Sequence, residues 1–193
     1  MPIRSLAELQ LDELIRNKKF TPSPAAWEDE VLYFLLVDRF SDGREKGYRD
    51  LDGNVVDTGA TELFRRGDAL NAVKTPEDAK RWREAGAGYV GRTLPGITSK
   101  LGYLKRLGVT ALWLSPVLKQ VAFQQTYHGY GIQDYLQVNP HVGTAEDLRV
   151  LVDTAHANGM RVILDIILNH TGDVFFLQSR SLPGDRQQRS AVS

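Results

Sequence analysis

An asparagine and a histidine follow an apolar segment near residue 170, and both side chains are suited to binding a polar ligand. The segment Arg161–His170 reads RVILDIILNH, so Asp165 lies among apolar residues and the two polar residues come at the end. A carboxylate buried without a partner destabilises a protein by several kcal/mol. We therefore expect Asp165 to be paired, and Asn169 and His170 to lie in a functional site.

A second group of side chains suited to ligand binding lies at Tyr127–Tyr135, which reads YHGYGIQDY. Tyrosine faces with polar rims suit the flat apolar faces of sugar rings, and glycine permits a close approach of the backbone. A histidine such as His170 is, on its own, more often structural than ligand-binding. The aromatic group favours a sugar site.

Alternating strands and helices are predicted to position these side chains. The strands are predicted at Val31–Val37, Val109–Pro116 and Val162–Leu168, and the helices at Ile97–Leu107 and after a capping box, ending at Gly159. This order, with strands that are apolar almost throughout, is typical of parallel βαβ units whose strands are buried on both faces.

Polar residues follow each predicted strand. They are Asp38-Arg39 after the first strand, Ser115 after the second, and Asn169-His170 after the third, with Asp165 inside the third. Functional groups of parallel sheets gather at the carboxyl ends of the strands. The sequence therefore predicts a site at that edge.

Composition excludes several classes of protein. Lys+Arg and Asp+Glu both number 24, so no net charge attracts nucleic acid or an anionic membrane. The longest apolar run, Val31–Val37, is far shorter than the ~20 residues that span a bilayer. The chain lacks cysteine, which excludes disulfides. The N-terminus lacks the apolar core of a signal peptide, and we expect a cytoplasmic protein with no nucleic-acid or membrane partner.

Three regions are expected along the chain. Residues 1–30 form an N-terminal helix with a Ser5/Glu8 capping box and a linker, residues 31–173 form the α/β unit, and residues 174–193 form an irregular tail. A long polar insertion follows the first strand and contains a helix near Pro76–Ala85.

Two motifs in the insertion match ligand-binding patterns only in part. Gly86–Gly91 (GAGYVG) fits a dinucleotide-binding pattern, but polar residues precede it where a strand is needed, and Pro95 blocks the helix that should follow. Asp50–Asp57 (DLDGNVVD) has its glycine at the fourth place, whereas a calcium loop requires it at the sixth. We interpret the first as a flexible loop and the second as a solvated turn.

Longer stretches of this sequence resemble the α-amylase family, glycoside hydrolase family 13. Tyr127–His170 is similar to the family's second and third βα segments, and its DIILNH matches the motif D-x-x-x-N-H. Val37–Gly43 (VDRFSDG) resembles the end of the family's first strand, and Gly96–Pro116 resembles its first helix and second strand. The resemblance covers roughly residues 31–173.

This resemblance implies a (β/α)8 TIM barrel that cleaves or transfers α-glucosidic bonds with retention. Tyr130 matches the tyrosine that stacks under the sugar being cleaved, and His170 matches a histidine that hydrogen-bonds the same sugar. Tyr127 and His128 join them as substrate-binding residues. Asp165 matches an aspartate that braces loops around the site, and Asn169 matches a calcium ligand of many members.

The resemblance stops before the catalytic carboxylates. Retaining glycosidases need two carboxylates about 5 Å apart, and in this family these follow strands four and five, with a third aspartate after strand seven. No acidic residue here matches those positions, so no catalytic residue is assigned.

We therefore expect a partial TIM barrel, consisting of the first three strands with their helices and the long insertion. It should be inactive alone and belong to an enzyme acting on α-glucans or maltooligosaccharides. The alternative is a non-catalytic carbohydrate-binding or scaffold half-barrel. Calcium is expected only in a full-length parent, with none bound tightly by this fragment.

Overall fold

The computed structural model describes residues 8, 10–16, 18, 20–61 and 73–173. A short 3₁₀ helix at Trp27–Asp29 precedes the first strand. In chain order the helices and strands are α1 (Leu11–Ile15), β1 (Leu32–Leu35), α2 (Val37–Phe40), β2 (Tyr48–Arg49), β3 (Val55–Val56), α3 (Pro76–Ala85), α4 (Leu94–Ser99), α5 (Leu101–Arg106), β4 (Ala111–Leu114), β5 (Leu118–Gln120), β6 (Ile132–Val138), α6 (Ala145–Ala157) and β7 (Arg161–Leu164).

The three predicted strands form a parallel sheet in the order β1-β4-β7. Phe34 pairs in register with Trp113, and Trp113 pairs with Ile163. This confirms the predicted α/β fold, with strands and crossover helices in the order of a TIM barrel. Among the described residues this sheet is open and does not close into a barrel.

Helices α4, α5 and α6 cover one face of this sheet and form the hydrophobic core with it. The capping box of α6 is present as predicted, since Thr144 accepts from the Asp147 N–H and the Asp147 side chain accepts from the Thr144 N–H. The core consists mainly of leucine, isoleucine and valine from the helices and strands, and it includes Leu35, Val37, Leu94, Ile97, Leu101, Leu104, Leu112, Leu114 and Leu151.

The strands of this sheet are covered on one face, whereas strands of parallel βαβ units are typically buried on both. Leu32, Phe34 and Trp113 are 46%, 45% and 40% exposed. Phe34, Trp113 and Ile163 are register partners and therefore share one face of the sheet. That face is exposed because, within the described ranges, the helices pack on the other face.

The helix predicted at Ile97–Leu107 is two helices, α4 and α5, which meet at Lys100. It also begins earlier than predicted, because the Thr93 side chain caps it and Pro95 lies in its first turn. Pro95 thus starts a helix, which corrects the expectation that it blocks one. The Gly86–Gly91 loop directly follows helix α3, where a dinucleotide site requires a strand, so it lacks the context of such a site.

One hairpin is absent from the sequence prediction. β5 and β6 pair antiparallel with an irregular register, and β6 includes the end of the aromatic segment Tyr127–Tyr135. Most residues of β6 are exposed or half-buried. Its apolar alternation is therefore weak, and pairing with β5 determines its conformation.

The insertion and the termini are described in part. Helix α3 occurs as predicted with Thr75 as its cap, and Asp50–Asp57 includes the turn between β2 and β3. Of the predicted N-terminal helix, the structure describes α1, whereas Ser5 of its capping box and residues 174–193 lie outside the described residues. No helix in the described ranges is long and apolar enough to cross a membrane.

Candidate sugar-binding site

The carboxyl edge of the parallel sheet brings together residues that follow its strands. The first two strand ends are joined by Ser115, which is buried: its Oγ accepts from the Val37 N–H at 3.1 Å, and its N–H donates to Leu35 O at 3.0 Å. Asp38, fully buried, follows the first strand within α2. Asp165 follows the third strand directly, since β7 ends at Leu164.

Asp165 is paired as predicted, although it lies at the end of the strand and not within it. The Tyr130 hydroxyl donates to Asp165 Oδ2 at 2.9 Å. Burial, this hydrogen bond and the charge of Asp165 together raise the pKa of Tyr130 above its ordinary value. The tyrosine therefore remains a donor at neutral pH and holds its loop against the end of the third strand.

His170 lies beside the same tyrosine. Its Nε2 is 3.1 Å from the Tyr130 carbonyl oxygen, which can only accept, so Nε2 carries the proton and donates. The segment before His170 is held by Tyr135, whose hydroxyl lies 2.8 Å from Ile167 O and 2.9 Å from His170 O. The two residues predicted to contact one sugar, Tyr130 and His170, are therefore neighbours in the structure.

Tyr127 and His128 extend the aromatic group. The rings of His128 and Tyr130 stack at 5.7 Å, and those of Tyr127 and His128 meet edge to face at 5.4 Å. His128 Nδ1 accepts from the Tyr130 N–H at 3.0 Å, so the neutral imidazole fits this position. Burial lowers the pKa of His128 below its ordinary value, which agrees with that contact.

Glycine in this segment serves the loop itself. Gly129 has a φ of +92°, and a Cβ there would lie 2.2 Å from Pro116 O. Another residue would both strain the backbone and clash with the chain that follows β4. The close approach made possible by Gly129 is thus between two backbone segments, and it seats the aromatic residues over the strand ends.

The described residues do not by themselves fit a calcium ion. Asn169 is exposed, and no group of three or more histidine, aspartate or glutamate side chains suited to a metal occurs among the described residues. Calcium takes about six to eight oxygen ligands. Asn169 offers one amide oxygen, so any calcium site would need ligands from elsewhere.

We expect calcium to bind this chain weakly, with a dissociation constant above about 100 μM, because the described residues provide few of the six to eight oxygen ligands that the ion takes. Isothermal titration calorimetry with CaCl₂ measures this directly. A site of micromolar affinity that Asn169→Ala abolishes would contradict the expectation.

Comparison with known proteins assigns the chain to a family. The sequence model of the α-amylase catalytic domain matches residues 34–190. The chain belongs to the α-amylase family. α-Amylase SusG of Bacteroides thetaiotaomicron is 48% identical over 156 residues, or 79% of this chain and 16% of that protein. The periplasmic α-amylase of Escherichia coli K12 is 31% identical over 170 residues, or 82% of this chain and 21% of that protein.

Solved amylase-family structures share the fold. The α-amylase of Geobacillus thermoleovorans, crystallised with acarbose, is 36% identical with a TM-score of 0.51, over 77% of this chain and 25% of that one. The γ-CGTase of an alkalophilic Bacillus clarkii is 32% identical with a TM-score of 0.52, over 77% of this chain and 19% of that one. The chain thus spans less than a third of each relative. Its cytoplasmic location stays a prediction, and one relative is periplasmic.

The sequence prediction assigned no contact to the pair Asp38-Arg39. Its position after the first strand was noted, but the partners come from segments far along the chain. Arg39 lies over the Tyr127 ring, with Cζ 4.0 Å from the ring centroid, and Asp38 accepts from the N–H groups of Val90 and Gly91. The sequence signal for a role at this edge is the position of two charged residues directly after an apolar strand, but it does not identify their partners.

Proposed function

We propose that this chain forms the first part of an amylase-type catalytic barrel and that its carboxyl edge binds one sugar ring of an α-glucan. The observation that carries the proposal is the contact set around Tyr130. Its hydroxyl is hydrogen-bonded to Asp165 and its carbonyl oxygen to His170, so the Tyr130 ring and the His170 imidazole are fixed side by side. A fixed aromatic face beside a polar group is the arrangement that a sugar ring requires.

Each residue has a distinct role in this proposal. The Tyr130 ring supplies a stacking face. His170 donates from Nε2 to protein, which leaves Nδ1 as an acceptor for a sugar hydroxyl. Asp165 braces Tyr130 and is therefore not assigned to attack the sugar.

The chemical step needs two further carboxylates. Retaining cleavage requires a nucleophile and an acid/base about 5 Å apart. We assign these to later strands of a complete barrel, as the family resemblance implies. The α-glucan as substrate is supported by the α-amylases among the relatives and by the acarbose bound to the Geobacillus thermoleovorans enzyme.

The purified chain alone is expected not to hydrolyse starch, maltooligosaccharides or sucrose. Most of the rate in such enzymes comes from positioned proton transfer and nucleophilic attack, and the two carboxylates for these steps are assigned to later strands. A reducing-sugar assay of the chain tests this. Turnover that disappears when one of its own carboxylates is replaced would contradict the expectation and make the chain itself an enzyme.

In a complete amylase that contains this segment, Tyr130→Ala and His170→Ala should each reduce kcat/KM. Loss of one positioned contact to a reacting group commonly raises the barrier by about 2–4 kcal/mol, which is about 30-fold to 1,000-fold in rate. Tyr130→Phe keeps the stacking face and removes the bond to Asp165, so it should retain more activity than Tyr130→Ala.

Tyr103→Ala is a matched control, because Tyr103 is a half-exposed tyrosine on α5, outside the carboxyl edge. Steady-state kinetics on maltooligosaccharides provide the measurement. Unchanged kinetics in both Tyr130→Ala and His170→Ala would show that this edge does not hold the reacting sugar. Binding of maltooligosaccharide by the complete protein without any cleavage would favour the non-catalytic alternative.

A further inference from the structure

We propose that Arg39 is a positioning residue whose guanidinium fixes Tyr127, and through Tyr127 the aromatic group formed by Tyr127, His128 and Tyr130. That a sugar binds to the aromatic group rests on the function proposed above. The contacts of Arg39 do not depend on that function.

Arg39 is held from three directions. Its Nη2 donates to Gly88 O at 2.6 Å, and its Nε lies 3.6 Å from Asp38 Oδ2. Its Cζ lies 4.0 Å from the centroid of the Tyr127 ring. A planar guanidinium can stack on a ring and donate in its own plane at the same time, which an ammonium cannot do.

The Asp38 side chain anchors the loop that contains Gly88, whose carbonyl oxygen accepts the hydrogen bond from Arg39. Asp38 is fully buried, and its two carboxylate oxygens accept from the Val90 N–H at 2.8 Å and the Gly91 N–H at 2.9 Å. The pair Asp38-Arg39 therefore attaches this loop to the end of β1. Arg39 is consequently held by this loop and by Asp38, independently of its contact with Tyr127.

Contacts continue from Tyr127 to the sugar-binding residues. Tyr127 meets His128 edge to face, His128 stacks on Tyr130, and Tyr130 bonds to Asp165 and His170. Arg39 thus links the end of β1 to the end of β7 through the aromatic group. Without its stacking partner, Tyr127 loses the contact that defines its orientation, and the His128 ring loses part of its cover.

The test uses the full chain with Arg39→Met, Arg39→Lys and the control Arg92→Met. Arg92 is a good match, because its side chain is 30% exposed against 25% for Arg39, and it pairs with Asp42 at 2.6 Å. Two properties are measured by NMR: the titration of His128 and the binding of maltotriose.

Arg39→Met is expected to move the pKa of His128 up toward its ordinary value, because the burial that lowers it is relaxed. It should also weaken maltotriose binding by about tenfold. Arg39→Lys keeps the positive charge but not the planar guanidinium, so its His128 pKa and its maltotriose affinity should lie between those of Arg39→Met and of the unsubstituted chain. Arg92→Met should match the unsubstituted chain in both properties.

A His128 titration unchanged by Arg39→Met overturns the proposal, and so does an equal shift in Arg92→Met. If Arg39→Met fails to fold, Arg39→Lys decides: properties identical to the unsubstituted chain overturn the proposal. If the unsubstituted chain binds no maltotriose, the sugar-binding function fails. A His128 shift in both Arg39→Met and Arg39→Lys, with none in Arg92→Met, would then still support the positioning role, because lysine keeps the charge of arginine.

Discussion

Replacing Lys100 with methionine is expected to lower the free energy of unfolding by about 3–5 kcal/mol, because it leaves Glu45 as an unpaired buried carboxylate. Lys100 Nζ lies 2.9 Å from Glu45 Oε2, and the two side chains are 10% and 11% exposed. The ammonium also donates to Ser99 Oγ at 3.0 Å and lies 3.6 Å from the centroid of the Tyr48 ring. Methionine replaces the stem of lysine and none of these contacts.

The same pair predicts how stability depends on pH. Burial alone would raise the pKa of Glu45, but hydrogen bonds from Lys100, Ser41 and the Asp42 N–H outweigh it and lower the pKa from 4.5 to about 2. The stabilisation is therefore present above pH 4.5 and is lost as the pH falls toward 2. The difference between Lys100→Met and the unsubstituted chain should narrow over that range.

Urea denaturation at neutral pH and at about pH 3 measures both effects. Lys80→Met is the control, since Lys80 and Glu84 pair on α3 with side chains 69% and 65% exposed. An exposed pair of this kind contributes about 0–1 kcal/mol. An equally small loss of unfolding free energy in Lys100→Met, or a loss that does not change with pH, would contradict the assigned role of the Glu45–Lys100 pair.

Sequence alone predicted those parts of the fold that local signals determine. The strands β1, β4 and β7 are apolar runs, and α6 begins at a capping box whose two hydrogen bonds join residues three apart. The pairing of Asp165 followed from the free energy of burying a carboxylate. The position of Asn169 and His170, proposed to lie in a sugar-binding site, followed from the rule that parallel strands place functional groups at their carboxyl ends.

The features that sequence did not predict depend on contacts between distant segments. Helices α4 and α5 meet at Lys100, whose partner Glu45 lies 55 positions earlier in the chain, so helical periodicity alone contains no sign of the break. The contact of Arg39 with Tyr127 depends on how two loops pack over the sheet. No spacing in the sequence encodes either contact.

The exposed face of the parallel sheet is expected to make the full chain self-associate. Phe34 and Trp113 are neighbours there, with ring centroids 5.2 Å apart and edge to face. Burial of one large apolar side chain contributes about 1.5–3 kcal/mol, so replacing both with threonine should weaken self-association on the order of 100-fold or more. Sedimentation velocity measures this. Phe20→Thr with Trp27→Thr removes two exposed aromatic rings outside the sheet and is the control.

The effect of the same substitutions on the stability of a complete protein tests the partial-barrel interpretation. In a closed barrel this face is the packed interior, so Phe34→Thr and Trp113→Thr should each destabilise the protein by about 3–5 kcal/mol, as other large-to-small core substitutions do. In the isolated chain they should improve solubility with little loss of stability, because the rings are exposed. A monomeric full chain with strongly protected sheet amides would show that three strands form a domain of their own. A large loss of stability in the complete protein, with little loss in the isolated chain, would follow only if later strands cover Phe34 and Trp113.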